Sequence, residues 1–378
     1  MDAASPLRIA ISGSYGGMNL GDEAILEGIL TRLRATIDAE VTVLSRNPSD
    51  TLERHGVERA IAPRSLTRRE MAAEIERVDL LILGGGGILY DRDADEYVRE
   101  VFLAHELGVP VFVYAISAGP LTHAGSRQAV RDALNASAST VVTVRDRLGL
   151  RLLEDVGVTQ EIHLTADPAF LLDAEELPAG ALREDGVDVA RRLVGFSVRE
   201  PGPAAPDIDP AAYYALLANA ADFVSFRYDA DVVFVPLEKT DVQHSHGVVA
   251  HMRRAERAEI LRRRYTPRQL IDVMGHFEFA VGMRLHFCIF ATLAGTPFTA
   301  LPYASKVAGL LEDLEMEMPP LGAITIGQLI ARIDRWWDQR DRIRAAIEGH
   351  REKLRARAAR TNDLLVARLH AIAARRRS

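Results

Sequence analysis

The strongest constraint on the fold is an alternation that runs from Arg8 to Leu301, in which short apolar runs are separated by stretches with helical spacing. Runs this short and this continuous read as strands buried on both faces. Strands joined through helices lie parallel in one sheet. Strands are expected at Arg8–Ser12, Val41–Ser45, Leu80–Leu83, Val111–Ile116, Val141–Val144 and Ile162–Thr165, with helices at Glu23–Arg34, Ala94–Leu107 and Ser126–Ala138 between them. Polar, turn-rich sequence from Asp173 to Asp188 interrupts the pattern, which then restarts. The second set has strands at Leu193–Val198, Val232–Pro236, Phe277–Val281 and Phe298–Leu301. Its helices are expected at Pro210–Tyr228, Val242–Arg257, Pro267–Gly275, Leu285–Ala294 and Ser305–Leu314. The expected class is α/β, with two Rossmann-like domains over residues 1–175 and 190–325 and a helical segment over 326–378. A chain of 378 residues suffices for two such cores.

Composition narrows the function. A formal net charge of −7 argues against a general nucleic-acid binder but leaves room for a local basic cleft. The single cysteine, Cys288, rules out an internal disulfide and a cysteine-rich zinc site, and its apolar setting reads as core. Met1–Pro6 lacks a basic region followed by an apolar run and does not read as a signal peptide. Arg284 and His286 interrupt the longest apolar region, Phe279–Gly295, so it makes a poor membrane span. A cytoplasmic protein is expected, with peripheral attachment to the inner face of the membrane left open. Arg375-Arg376-Arg377 reads as a solvated helix end.

The segment Gly282-Met283-Arg284-Leu285-His286 places two strongly polar side chains where a buried strand gives way to a buried helix. Ligands of open α/β sheets bind outside the carboxyl ends of strands. Arg clamps phosphate or carboxylate through paired hydrogen bonds, and His moves protons near neutral pH. The plainer reading is an Arg held by a carboxylate beside a hydrogen-bonded core His. Arg199 ends the Leu193–Val198 strand, so in a parallel sheet it projects toward the same edge as Arg284. Its plainer reading is an ion pair with Glu200 or another acid. Lys306 follows the next strand at a helix start and reads either as a phosphate contact or as a solvated Lys. Pro201–Pro206 is expected as a loop beside this edge.

In the first half, Gly13-Ser14-Tyr15-Gly16-Gly17-Met18-Asn19-Leu20-Gly21-Asp22 follows the first strand, without a Walker Lys or a clean GxGxxG. Asn19 and Asp22 read as acceptor-hydroxyl contacts, with Asp22 either a base or simply a helix cap. Gly84-Gly85-Gly86-Gly87 reads as a strand-end loop open enough for a ligand to lie against backbone, with a tight turn as the alternative. Asp91 follows as a hydroxyl contact or a cap. Asp167 before Pro168 reads as a turn residue. His244, His246 and His251, with Asp241 nearby, lack a metal-site spacing, so no metal is expected.

Six segments together resemble the polysaccharide pyruvyl transferase family. They are Asn19–Leu26, Gly84–Ile88, Ser117-Ala118-Gly119-Pro120, Asp167–Phe170, Ser197-Val198-Arg199 and Gly282–His286, in the family's order. The chain departs from the family at Ala304-Ser305-Lys306, where members often carry an Asp-Pro-Lys-like run; the Asp is lost and the Lys kept. The resemblance implies a GT-B-like arrangement, two Rossmann-like domains facing across a cleft. It implies phosphoenolpyruvate as donor substrate with no further cofactor, and a saccharide or lipid-linked saccharide as acceptor. It also implies a pyruvate ketal as product, with release of phosphate. By the family's pattern Arg199, Arg284 and His286 match donor positions, with Lys306 beside them; His286 and Asp22 are the catalytic candidates. Asn19, Asp22, Gly85, Gly86 and Asp91 are the acceptor candidates. Two rival readings stay open: a nucleotide-sugar glycosyltransferase on the same fold, and a non-catalytic saccharide-binding subunit.

Overall fold

The computed structural model describes residues 6–91, 93–200, 209–301, 305–317 and 324–377. The expected loop Pro201–Pro206 and the residues Pro302–Ala304 lie outside them. The chain divides into two compact units, Met1–Leu172 with Lys353–Ser378, and Asp173–Glu352. The segment expected as one helical piece from 326 to 378 is therefore shared. Helix Ile326–Asp338 counts with the second unit, and the helix Arg340–Arg377 passes from the second unit into the first.

The first unit is built on an eight-stranded sheet. Its strands are β1 (Leu7–Tyr15), β2 (Ala39–Ser45), β3 (Arg59–Ile61), β4 (Leu80–Leu83), β5 (Gly86–Leu89), β6 (Val111–Ala118), β7 (Val141–Val144) and β8 (Ile162–Leu164). Their order is β3-β2-β1-β4-β6-β7-β8, with β5 added to the end of β6, and every pairing is parallel. Successive strand residues point to opposite faces, which yields two apolar layers. Ile9 and Ile11 pack with Ile25, Ile29 and Leu33 of the helix Leu20–Thr36, and with Leu365 and Leu369 of the final helix. Ala10, Leu81 and Leu83 pack with Met71, Ile75, Val98 and Val101 on the other side.

The second unit has a five-stranded sheet of β9 (Leu193–Phe196), β10 (Asp231–Phe234), β11 (Ala258–Ile260), β12 (Phe279–Gly282) and β13 (Phe298–Ala300). The order is β11-β10-β9-β12-β13, again all parallel. Phe196 and Phe234 meet at 5.8 Å in its core. Trp337 stacks on Tyr228 at 4.0 Å, which fastens the helix Ile326–Asp338 to this unit. Among the described residues no helix is long and apolar enough to cross a membrane.

Both sheets share one topological feature. Winding proceeds from β1 outward through β2 and β3, then returns to the other side at β4. It proceeds from β9 through β10 and β11, then returns at β12. At such a switch point the loops leaving adjacent strands diverge and leave a crevice at the carboxyl ends. The crevices lie between β1 and β4, and between β9 and β12.

One carboxyl is buried at unusual cost. Glu100 is 4% exposed and accepts a hydrogen bond from the Ser12 hydroxyl. Burial pushes its acid up to about 7, against the Ser12 hydrogen bond and the charges of Arg99 and Arg64, with Glu96 adding to the rise. The folded protein thus holds this proton more tightly than the unfolded chain does. The resulting stabilisation is full below the ordinary value of 4.5 and is lost as pH rises to about 7. Thermal unfolding measured across that window should show the parent losing stability relative to Glu100→Gln, with the difference levelling off above it.

Candidate functional site

The second unit's switch point gathers the polar residues that the sequence singles out. Arg199 leaves β9, and Arg284 leaves β12 as the N-cap of the helix Leu285–Ala294, in extended conformation. Arg284 is 6% exposed and His286 9%. The Arg284 backbone N–H donates to the Ser197 hydroxyl at 3.4 Å, tying the two strand ends together. The Arg284 Nη2 donates to Glu238 Oε2 at 2.7 Å and to Asp241 Oδ1 at 2.5 Å. Its Nε is buried and has no hydrogen-bond partner among the described residues.

Arg284 is therefore held by carboxylates, and the residues that hold it lie on a third element, just before and within the helix Lys239–Val249. Asp241 is anchored in turn, its Oδ2 accepting from the backbone N–H groups of Leu237 and Glu238 at 3.0 and 3.1 Å. Asp241 thus belongs with Arg284 and not with the neighbouring histidines. Of those, His244 Nδ1 lies 2.6 Å from the Tyr214 hydroxyl and His251 Nδ1 2.8 Å from the Gly247 carbonyl. Among the described residues no group of three or more His, Cys, Asp or Glu is placed to hold a metal ion.

The charges converge on Glu238. Burial would raise its carboxyl, but Arg284, and then Arg199 and Lys306, outweigh burial and hold it below the ordinary value. For the deeper Asp241 burial wins and raises the acid in spite of Arg284. Burial works against the charged guanidinium of Arg284, but the two carboxylates together push it further up. Arg199 also donates from Nε to the Glu200 carbonyl at 3.1 Å, and the Tyr213 hydroxyl donates to the Arg199 carbonyl at 2.9 Å. His286 is the second residue of its helix, with its ring 6.3 Å from that of Phe290. Arg284 thus pairs with Glu238, whose carboxyl also feels the charges of Arg199 and Lys306, in a place that suits a small anion.

The first unit's switch point gathers a second set. Asn19 caps the helix Leu20–Thr36, its side chain accepting from the Gly21 N–H at 2.9 Å. Asp22 stands in the first turn of that helix and is half-buried. Glu23, fully buried, accepts from the Gly16 N–H at 3.0 Å and bonds His55 Nε2 at 2.8 Å, which fixes the loop after β1. A Cβ built on Gly86 would lie 3.7 Å from Asp22 Oδ1, so Asp22 and Gly86 are neighbours.

The glycine run is not the open loop the sequence suggests. Gly86 and Gly87 belong to β5 and pair with Ile116 and Ser117 of β6. A Cβ on Gly84 would come within 2.2 Å of the Tyr15 hydroxyl, and one on Gly85 within 2.8 Å of Ile25 Cγ2. Close packing of the protein on itself accounts for these two glycines. Asp91 has partners of its own. Its carboxylate accepts from the Thr122 N–H and hydroxyl and from the His123 N–H, the backbone contacts at 2.8 to 2.9 Å. It clamps the loop that follows β6. Ser117 and Asp167 are joined through residues the sequence gave no reason to notice. Ser117 donates to Asp146 at 2.6 Å, and Arg145 donates to Asp167 at 2.6 Å and lies 3.8 Å from Asp146, all four being buried.

Comparison with known proteins matches this architecture. The family model "Polysaccharide pyruvyl transferase" matches residues 19–305. The amylovoran biosynthesis protein AmsJ of Erwinia amylovora is 20% identical over 381 residues, covering 87% of this chain and 91% of AmsJ. The crystal structure of Anabaena Alr3699/HepE in complex with UDP and glucose superposes with a TM-score of 0.65 at 13% identity, over 97% of this chain and all of that one. The Staphylococcus aureus MnaA–UDP structure gives 0.65 at 10% identity over 95% of each chain. The glycotransferase of kitacinnamycin gives 0.50 at 15% identity, over 96% of this chain and 99% of that one. The fold is GT-B-like, and the chain belongs to the polysaccharide pyruvyl transferase family.

Proposed function

We propose that the chain transfers the enolpyruvyl group of phosphoenolpyruvate to a saccharide, forming a pyruvate ketal and releasing phosphate. The observation that carries this reading is the buried Arg284 paired with Glu238 at the second unit's switch point, where the charges of Arg199 and Lys306 also act on that carboxylate. A carboxylate in the field of several cations marks where the carboxylate or phosphate of the donor would sit. When donor binds, one of its anionic groups takes over contacts that Glu238 makes. Asp241 keeps hold of Arg284 from behind.

His286, beside Arg284, delivers a proton to the methylene carbon of the donor. Positive charge then develops on the adjacent carbon, where a sugar hydroxyl attacks and gives up its proton. The C–O bond to phosphate breaks and the phosphate departs against Arg199, Arg284 and Lys306. A second hydroxyl of the same sugar attacks the carbon, loses its proton and closes the ketal. Of the two hydroxyl protons, one returns to His286 and the other leaves with phosphate. Asn19 and Asp22, with Gly86 beside Asp22, hold the acceptor, and Asp22 assists a deprotonation. Asp91 contributes by shaping the loop after β6.

Phosphate release and mass-spectrometric detection of the ketal test each role. His286→Gln should lower turnover roughly 100-fold or more with phosphoenolpyruvate binding retained. Arg199→Ala should weaken phosphoenolpyruvate about tenfold to a hundredfold, the loss of a charge-assisted contact. Transfer from a sugar nucleotide, with no phosphate released from phosphoenolpyruvate, would replace this reading with that of a glycosyltransferase.

Glu238 gives a test of sign. Glu238→Gln removes a negative charge from the anion site while Asp241 still holds Arg284, so the KM for phosphoenolpyruvate should fall. Asp241→Asn loosens Arg284 and should raise it. The opposite order in steady-state kinetics would mean that Glu238, not Asp241, positions the arginine.

A further inference from the structure

A cavity lies within the first unit beside Asp22, whose charge acts on Arg46 and Tyr97 of its lining. It encloses about 640 Å³ at the carboxyl ends of β1, β2 and β3, closed on one side by the first turns of the helix Ala94–Glu106. A cavity of this size suits a small ligand. Its lining includes Ser12 and Glu100, which are 2% and 4% exposed and hydrogen-bonded to each other. Arg46, Arg64 and Arg99 also line it and are exposed. Arg64 pairs with Glu96, and Arg46 donates to the Tyr97 hydroxyl at 3.3 Å.

Among the described residues Glu100 makes no ion pair, and a buried carboxyl with a single hydroxyl partner is costly. The Ser12–Glu100 pair does not cap a helix or close a turn. It presents carboxyl and hydroxyl oxygens side by side, with lone pairs left to accept hydrogen bonds from two neighbouring hydroxyls. The three arginines against Glu96 leave the exposed part of the lining with a cationic excess, in a chain whose net charge is −7. That excess calls for an anion on the same ligand.

We infer that this cavity binds a hexose with an anionic substituent, with Ser12 and Glu100 on its hydroxyls and Arg46, Arg64 and Arg99 around its charge. The inference rests on the reading of the chain as a saccharide-modifying enzyme, and it names the acceptor's chemical class. A sugar phosphate and a uronic acid share this chemistry.

Calorimetric titration of the full-length protein separates them. The probes are glucose, galactose and mannose 1-phosphates, glucuronic and galacturonic acids, the neutral parent hexoses and inorganic phosphate. At least one anionic hexose should bind about tenfold or more tighter than its neutral parent and than phosphate alone. Glu100→Gln and, independently, the exposed Arg99→Ala should each weaken it by about tenfold, while phosphoenolpyruvate titrates as in the parent protein. The 1-phosphates or the uronic acids, whichever bind, identify the anion. Absence of binding by every probe, equal binding of phosphate alone, or binding unchanged in both variants would overturn the inference. Failure of the donor reading would look different, as loss of phosphoenolpyruvate binding with hexose binding intact.

Discussion

The candidate site depends on a guanidinium buried at the end of a strand. Arg284 is almost wholly removed from water, and a charge in that position is tolerated only where opposite charge meets it. Glu238 and Asp241 meet it, and the two carboxylates have different standing. Asp241 is locked by two backbone N–H groups, whereas Glu238 is one-third exposed, pairs with Arg284 and feels the charges of Arg199 and Lys306. Under the proposed function, the fixed acid holds the arginine while the more exposed acid gives way to an anion of the donor. Removing Asp241 would leave the buried arginine undercompensated, which places the largest penalties of the site on a residue that need not touch substrate.

The two sheets solve the same problem twice. In each, the chain winds outward from a first strand and returns beside it at the fourth position of the unit, leaving a crevice between them. In the first unit the crevice receives Asn19, Asp22 and the glycines that follow β4 and open β5, and in the second it receives Arg199, Arg284 and His286. The first collects an amide, a carboxylate and glycines and the second collects cations, so the repeated topology carries different chemistry in the two units. The buried Ser12–Glu100 pair extends the first unit's polar edge along β1, toward β2 and β3.

Much of this was legible in the sequence because burial writes itself as periodicity. Strands such as Leu80–Leu83 and Val141–Val144, and helices such as Pro210–Tyr228 and Leu285–Ala294, end where their apolar pattern ends. Short elements were not seen: the helices Pro48–His55, Arg68–Ile75 and Arg147–Val156, and the edge strands β3 and β11. Local signals existed for the helices, the Asn47 cap followed by Pro48 and the Thr67–Glu70 capping box. The strand ends named Arg199, Arg284 and His286 because polar residues in apolar runs are conspicuous. Glu238, Asp241, Arg145 and Glu100 were not conspicuous, since an acid or base in a polar stretch looks like surface. The glycine run misled for a related reason: composition cannot tell a loop that admits a ligand from a backbone that admits Tyr15 and Ile25.

The central claim is that the Arg199–Arg284–His286–Lys306 cluster holds phosphoenolpyruvate. The most direct measurement is a crystal structure of the protein soaked with phosphoenolpyruvate or a non-reactive analogue. The account predicts the donor's anionic groups on Arg199 and Arg284, with His286 facing the methylene carbon and the Glu238 carboxylate displaced from at least one of its cations. Donor density elsewhere, with Glu238 still bound to Arg284 as in the empty protein, would contradict it.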